Sequence, residues 1–285
     1  MRVVIDDNSG FCFGVVRAIS EAEASLAKYG EVYSLGDIVH NRVEVQRLES
    51  LGLHAITHED MPSLAGSTML IRAHGEPPRT YRRAEELGIR IIDATCPVVA
   101  RLQRLVREAY AAMSGVGGSV VLLGKRGHAE VIGLTGQVED DVRVVECAAD
   151  LEGLDYTRPI YFLSQTTQSI ELFNTLADII RSRMAEGVEL TVNDTICRRV
   201  AGREALLTEF AKSVDVVLFV CGKKSSNGRV LSDVCRRANA RCYNIEEASE
   251  IEAAWFEGAE SVGICGATST PRWLMERVAK AISNE

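Results

Sequence analysis

No apolar run in this chain approaches the roughly 18 to 20 residues that cross a bilayer, and no basic segment followed by a long apolar region stands at its amino terminus. A soluble, cytoplasmic protein with no membrane partner is the expectation. Basic residues are not in excess: 32 Lys and Arg against 40 Asp and Glu leave a net charge of −8 and a pI near 5.3. Nucleic-acid binders draw their affinity from clustered cations on phosphates, so the balance argues against that class. The pair Arg198-Arg199 and the run Arg79 to Arg83 are too short to reverse it. There is no C-x₂-C pair of the kind structural zinc sites use, no P-loop, and no flavin or nicotinamide fingerprint. Low-complexity tracts and Gly/Ser/Pro-rich linkers are also missing, apart from a small glycine-rich turn between Ser114 and Ser119.

What the chain does have is an ordinary globular composition and cysteines in unusual places. Its 285 residues, 46% of them apolar and 25% charged, suffice for one large domain or for two or three small lobes. Eight cysteines in a cytosolic-looking chain of this size do not read as a disulfide framework. Cys147, Cys221, Cys242 and Cys265 lie in or beside apolar strand patterns and Cys235 in a helical one, where a free thiol acts as a small hydrophobe. Cys12, Cys96 and Cys197 sit instead in loops, within Gly-Phe-Cys-Phe-Gly, Asp-Ala-Thr-Cys-Pro and Asn-Asp-Thr-Ile-Cys, at intervals of 84 and 101 residues.

Each of these three follows a short strand pattern and precedes a helical one, and the chain between them repeats a frame: a cysteine, a polar cluster, a strand without chemistry, a second polar cluster. The polar clusters follow the strands Val32–Leu35 (His40-Asn41), Met69–Arg72 (His74), Ser119–Leu123 (His128-Ala129-Glu130), Ile160–Ser164 (Gln165-Thr166-Thr167), Val214–Cys221 (Ser225-Ser226-Asn227) and Ser261–Cys265 (Ser269). The plain strands are Leu53–Ile56, Arg143–Glu146 and Arg241–Ile245. Helical patterns alternate with them at 14–28, 41–50, 79–87, 98–113, 169–184, 198–212, 228–239, 246–255 and 271–282, the signature of βαβ units and parallel sheets. The expected fold is therefore α/β, with three similar lobes facing one centre. Their boundaries are placed at 14–96, 97–193 and 194–285, the last including residues 1–13.

Side chains at the carboxyl ends of parallel strands face the crevice where α/β sheets bind ligands. Three thiolates converging there would leave one position of a soft-metal site open, which suits a cubane iron–sulfur cluster better than zinc; a catalytic zinc with three cysteines and a water is the other option. His40, His74 and His128 offer hydrogen bonds and positive charge to an anion, and Ser225, Ser226, Asn227 and Ser269 offer uncharged donors. Glu130 reads either as a proton relay in a closed site or as a solvated glutamate at a helix start. Thr166 either passes a proton between Glu130 and a substrate or belongs to a cap for the helix beginning at Ser169. Asp93 and Asp194 read as caps or turn formers, and His54 and His58 as structural.

With those residues in view, the sequence resembles the LytB/IspH family, the 4-hydroxy-3-methylbut-2-enyl diphosphate reductases. The motifs are Gly-Phe-Cys-Phe-Gly-Val at 10–15, Val-His-Asn at 39–41, Arg-Ala-His-Gly at 72–75, Asp-Ala-Thr-Cys-Pro at 93–97 and Gly-His-Ala-Glu at 127–130. They continue with Ser-Gln-Thr-Thr at 164–167, Thr-Ile-Cys at 195–197, Ser-Ser-Asn at 225–227 and Thr-Ser-Thr-Pro at 268–271. The resemblance implies a trefoil of three α/β lobes around one 4Fe-4S cluster held by Cys12, Cys96 and Cys197. It implies an allylic diphosphate substrate held by His40, His74, His128, Ser225, Ser226, Asn227 and Ser269, protons from Glu130 with Thr166, and electrons from a ferredoxin or flavodoxin. The reaction implied is removal of the substrate hydroxyl as water, giving isopentenyl and dimethylallyl diphosphates. Departures from the family pattern are Ala129 where proline is usual and Val200 where a threonine is usual, and Arg198-Arg199, Gly202 and the Ala267-Thr268 pair also differ from the commonest versions. Two other readings keep the cluster: a paralogue using an open iron as Lewis acid on another substrate, and a non-catalytic redox sensor.

Overall fold

The computed structural model describes residues 1–223 and 225–283, with the backbone alone for Ser226. Among these residues, twelve short strands form three parallel four-stranded sheets. One contains β1 (Arg2–Ile5), β12 (Ser261–Gly266), β10 (Val216–Val220) and β11 (Cys242–Ile245) in that order. A second contains β7 (Arg143–Val145), β6 (Ser119–Leu123), β8 (Ile160–Ser164) and β9 (Leu190–Val192) in that order. The third is made of β2 (Val32–Leu35), β3 (Leu53–Ile56), β4 (Thr68–Ile71) and β5 (Arg90–Asp93). By contact density the chain divides into two compact units, one of Met1–Ala55 with everything from Gly202 onward, the other Ile56–Ala201.

The central strands are apolar throughout because both faces are covered. In β10, Val216, Leu218 and Val220 pack with Ile264, Leu274 and Val278, the last two on α10 (Arg272–Ser283). The alternate residues Val217 and Phe219 pack with Leu207 and Ala211 of α8 (Arg203–Lys212) and with Leu231 and Cys235 of α9 (Ser226–Ala238). The β6–β8 pair repeats the pattern. Val121, Leu123 and Phe162 meet Phe173 and Leu176 of α6 (Ile170–Arg183), with the rings of Phe162 and Phe173 stacked at 4.7 Å. Val120, Leu122 and Leu163 meet Leu102 and Val106 of α4 (Pro97–Ser114) and Val131 and Leu134 of α5 (Ala129–Thr135). Truncating Phe162 to Ala would cost about 3 to 5 kcal/mol by the usual cavity penalty.

The amino-terminal strand pairs with β12 in register Arg2↔Ser261 to Ile5↔Ile264, so the chain's start lies in the sheet of its last third. Likewise β5 pairs with β4, and β9 with β8. Each strand that leads into Cys12, Cys96 or Cys197 thus belongs to the sheet built before it. Several helix starts follow the sequence: Asn41 accepts from Glu44 N at α2 (Arg42–Glu49), proline stands in the first turn of α3 (Pro78–Glu86), Ser169 accepts from Leu172 N at α6, and Pro97 opens α4.

Four expectations are corrected. The segment 246–255 is not an α-helix but two 3₁₀ turns, Ala248–Glu250 and Ala253–Phe256, joined by extended Ile251 and Glu252. A helix there would stack Glu246 on Glu250, a like-charge pair, and Glu250 instead accepts from the Glu246 backbone N–H. The pattern at 198–212 is interrupted at Gly202, giving α7 (Arg198–Ala201) and α8. Helix α5 is missing from the helical patterns, although one reading of Glu130 put a helix start there; it is short and contains Gly133, which weakens the periodic signal. Cys147 is exposed rather than packed, at the end of an edge strand where Asp150 accepts from its N–H.

Candidate active site

In the unit Ile56–Ala201, the parallel register Leu123↔Ser164 sets the loops after β6 and β8 side by side. The β6 loop turns into α5 with His128 as its N-cap, the ring Nδ1 accepting from Glu130 N at 3.2 Å. Gln165 anchors the second loop. Its N–H donates to Leu123 O, its Oε1 accepts from Lys125 N, and its Nε2 lies 3.2 Å from the same His128 Nδ1. Two donors converging on Nδ1 leave the imidazole proton on Nε2. The rings of His74 and His128 meet edge to face at 5.3 Å.

Glu130 is 2% exposed, which removes the solvated reading. Thr166 N donates to Glu130 Oε1 at 2.7 Å and Thr166 Oγ1 donates to Oε2 at 2.8 Å. Burial raises the carboxyl pKa to about 7 against the lowering effect of those two hydrogen bonds. A carboxyl poised there exchanges protons near neutrality. Once protonated it donates to Thr166 Oγ1, whose own hydrogen is then free to point elsewhere. The helix beginning at Ser169 is capped by Ser169 itself, not by Thr166.

Behind this pair a backbone device recurs. Thr166 O accepts from Cys197 N at 2.8 Å, Ala73 O, next to His74, accepts from Cys96 N at 3.0 Å, and in the other unit Thr268 O, next to Ser269, accepts from Cys12 N at 3.3 Å. Each cysteine is latched to the second polar cluster of its own sheet. Asx turns shape two of the approaches, Asp93 accepting from Thr95 N and Asp194 from Ile196 N, as read from the sequence. Asp6, which accepts from Asn8 N and Ser9 Oγ before Cys12, is the third member that sequence reading missed. Cys12 and Cys96 are the N-caps of α1 (Phe13–Tyr29) and α4, and Cys197 directly precedes α7. Helix amino termini favour negative charge, as a ligating thiolate requires.

The other thiols behave differently. Cys221, Cys235, Cys242 and Cys265 lie within one apolar cluster, and burial pushes Cys221 up to about 11 and raises Cys265 as well. Those remain protonated packing groups. Cys12, Cys96 and Cys197 are half-buried cysteines outside any disulfide, at loop-to-helix junctions, the donor chemistry that an iron–sulfur group takes.

In the unit containing both chain ends, Ser225 caps α9 by accepting from Gly228 N, and its Oγ lies 3.3 Å from Ser269 Oγ. Asn227 Oδ1 accepts from Thr268 N and Thr268 Oγ1, which fixes the amide with its oxygen toward Thr268. His40 precedes α2, its carbonyl held against Gly222: a Cβ on Gly222 would stand 2.3 Å from His40 O. The side chain of Ser226 lies outside the described residues. Cys12, His40, Ser225, Asn227 and Ser269 thus share one unit, and Cys96, Cys197, His74, His128, Glu130 and Thr166 the other. Gln165, the orienter of His128, stood in a noted cluster, but nothing in a sequence tells which ring an amide will reach.

Fold and site together define an α/β enzyme with hydroxyl, amide and imidazole donors and one neutral-range carboxyl at its strand ends. The family model described as LytB protein matches residues 3–283. The chain is 52% identical over 282 residues to 4-hydroxy-3-methylbut-2-enyl diphosphate reductase of Parabacteroides distasonis, covering 99% of this chain and 97% of that protein. It is 50% identical over 282 residues to the protein of that name from Porphyromonas gingivalis, covering 98% of each. A solved structure of (E)-4-hydroxy-3-methyl-but-2-enyl diphosphate reductase, the terminal enzyme of the non-mevalonate pathway, superposes over 100% of both chains with a TM-score of 0.77 at 35% identity. The chain belongs to the LytB protein family.

Proposed function

We infer that this chain catalyses the reductive dehydroxylation of (E)-4-hydroxy-3-methylbut-2-enyl diphosphate. Two electrons and two protons enter, the C–O bond to the hydroxyl breaks, the oxygen leaves as water, and isopentenyl or dimethylallyl diphosphate remains. The reading rests on family membership and above all on one arrangement, the buried Glu130 carboxyl hydrogen-bonded twice to Thr166, whose carbonyl is bonded to the Cys197 backbone.

Cys12, Cys96 and Cys197 would hold a 4Fe-4S cluster, which when bound supplies single electrons and an open Lewis-acidic position. The rest falls to this chain's own side chains. His40, His74, His128, Ser225, Ser226, Asn227 and Ser269 would hold the diphosphate through N–H and O–H donors, with the amino terminus of α9 adding backbone N–H groups. Glu130 would donate a proton through Thr166 Oγ1 to the substrate and be recharged near neutral pH. We assign the chain to three lobes, 14–96, 97–193 and 194–285 with 1–13, to the cytoplasm, and to an external ferredoxin or flavodoxin as electron donor.

Anaerobic purification and turnover with reduced methyl viologen test the reading. The expected preparation is brown, carries about four irons per chain, and converts the hydroxylated diphosphate to the two products in a mass balance with no hydrated species. A colourless preparation with full activity, or a hydrated product, would refute it. Among the described residues no helix is long and apolar enough to cross a membrane, in keeping with assay in aqueous buffer.

A further inference from the structure

A cavity of about 600 Å³ opens beside Cys197, wholly within the unit Ile56–Ala201. One wall is the first half of α4, immediately after Cys96, with Val98, Arg101 and Arg104; the other is the β9–α7 loop with Cys197, Arg198 and Arg199. Its lining carries four arginines against two carboxylates, Glu108 and Asp194, in a chain whose net charge is −8. The sign of the local surface is therefore opposite to that of the whole molecule.

The four cations are exposed. Arg104 meets Glu108 at 3.9 Å and Arg198 meets Asp194 at 2.6 Å, with more than half of each arginine side chain accessible. Such exposed pairs are worth at most about 1 kcal/mol and exchange readily for a partner's carboxylate. Arg101 makes no ion pair among the described residues. Val98, 40% exposed, adds an apolar group to the same lining. Arginine beside apolar surface is a composition that protein interfaces favour, and clustered charge raises the encounter rate with a partner of opposite sign.

We propose that this arginine-rimmed cleft is the docking surface for a small acidic one-electron carrier protein, seated over the α4 and α7 amino termini beside Cys96 and Cys197. The proposal rests on the reductase reading, which requires electrons from outside a chain lacking flavin and nicotinamide fingerprints. Each docking event would oxidise one carrier by one electron. Two successive events supply the pair that, with two protons, releases the hydroxyl as water.

The test is the double variant Arg101→Glu, Arg104→Glu, whose positions lie outside the residues assigned to cluster, substrate or protons. Binding of an oxidised acidic flavodoxin to the holoenzyme is measured by calorimetry, with no turnover involved. The Kd should rise at least about tenfold in the variant, and wild-type affinity should fall steeply between low and high ionic strength. In turnover, the flavodoxin-supported rate should fall in parallel while the methyl viologen rate stays within about twofold, because a small diffusing reductant needs no protein interface. Unchanged flavodoxin affinity, or equal loss with both reductants, overturns the proposal. The wild-type salt titration decides it even if the variant does not fold: affinity indifferent to salt refutes a charged interface. Wild-type protein inactive with methyl viologen would instead indict the reductase reading, a distinct result.

Discussion

Strands β8 and β12 occupy equivalent places. Each is a central strand with a parallel partner on either side, each is followed by the carbonyl that latches a cysteine, and each ends in a threonine-containing loop. Their chemistry differs. After β8, Thr166 faces a buried carboxyl, and the site there is a proton store with a pKa of about 7. After β12, Thr268 is engaged by the Asn227 amide oxygen and Ser269 by Ser225, with no carboxylate among those contacts. One scaffold thus carries an acid on one sheet and uncharged hydroxyl and amide groups on another. The sheet positions the loop, and the side chain at the loop fixes the task.

If that division holds, substitutions on the two sheets should damage different kinetic constants. The largest effect belongs to Glu130→Gln, which keeps the shape and an acceptor for Thr166 but removes the acid. Turnover should fall about a hundred- to ten-thousand-fold, the usual worth of a positioned acid, with iron content and KM little changed. Single-turnover rates with the pre-reduced enzyme would measure this directly, and a wild-type rate would remove Glu130 from the chemistry. In the wild type, turnover should decline as pH rises through about 7 because the proton-bearing form is the donor.

The same group should leave a mark on stability. A carboxyl near 4.5 when unfolded and about 7 when folded binds its proton more tightly in the native state. Its contribution is therefore complete below the unfolded value and lost as pH climbs through the folded one, a swing of roughly 3 kcal/mol. Denaturant midpoints of wild type and Glu130→Gln should diverge between about pH 4.5 and pH 8, the wild type weakening relative to the variant. Parallel curves would mean that Glu130 is not buried as described.

On the other sheet, Ser269→Ala should act on binding. Loss of one hydroxyl donor to a charged phosphate costs about 1.5 to 3 kcal/mol, at least tenfold in KM, while kcat changes less. A fall in kcat at constant KM would erase the proposed distinction between the two strand ends.

Much of this was legible before any coordinates. The strands 32–35, 53–56, 119–123 and 160–164 fall where their apolar runs begin and end, because turn residues bound them sharply. The three loop cysteines were separable from Cys221, Cys235, Cys242 and Cys265 because the latter sit in apolar periodicity, and their burial follows. What sequence could not carry was pairing at a distance. The latch from Cys12 N–H to Thr268 O joins residues near opposite ends of the chain through backbone atoms, which have no sequence signature. The burial of Glu130 was equally hidden: it depends on α5, a helix too short to register as periodic. Cys147 misled for a related reason, since an edge strand has the composition of a core strand without its cover.

The smallest effect sharpens the comparison at Ala129, the first residue of α5. Its backbone N–H is one of the orphan donors of a helix start, so proline there sacrifices no intrahelical bond, and its fixed φ suits a first helical turn. The residue before a proline must avoid the helical region, and His128 already lies at φ −71°, ψ 137°. Ala129→Pro should therefore leave His128 and Glu130 in place and stabilise the protein by about 0.4 to 1 kcal/mol through the unfolded chain, with activity within about twofold. A measured loss of stability, or a shift in the pH at which turnover declines, would mean that α5 is entered by a different path, and the hydrogen bond from Glu130 N to His128 would be the contact to re-examine.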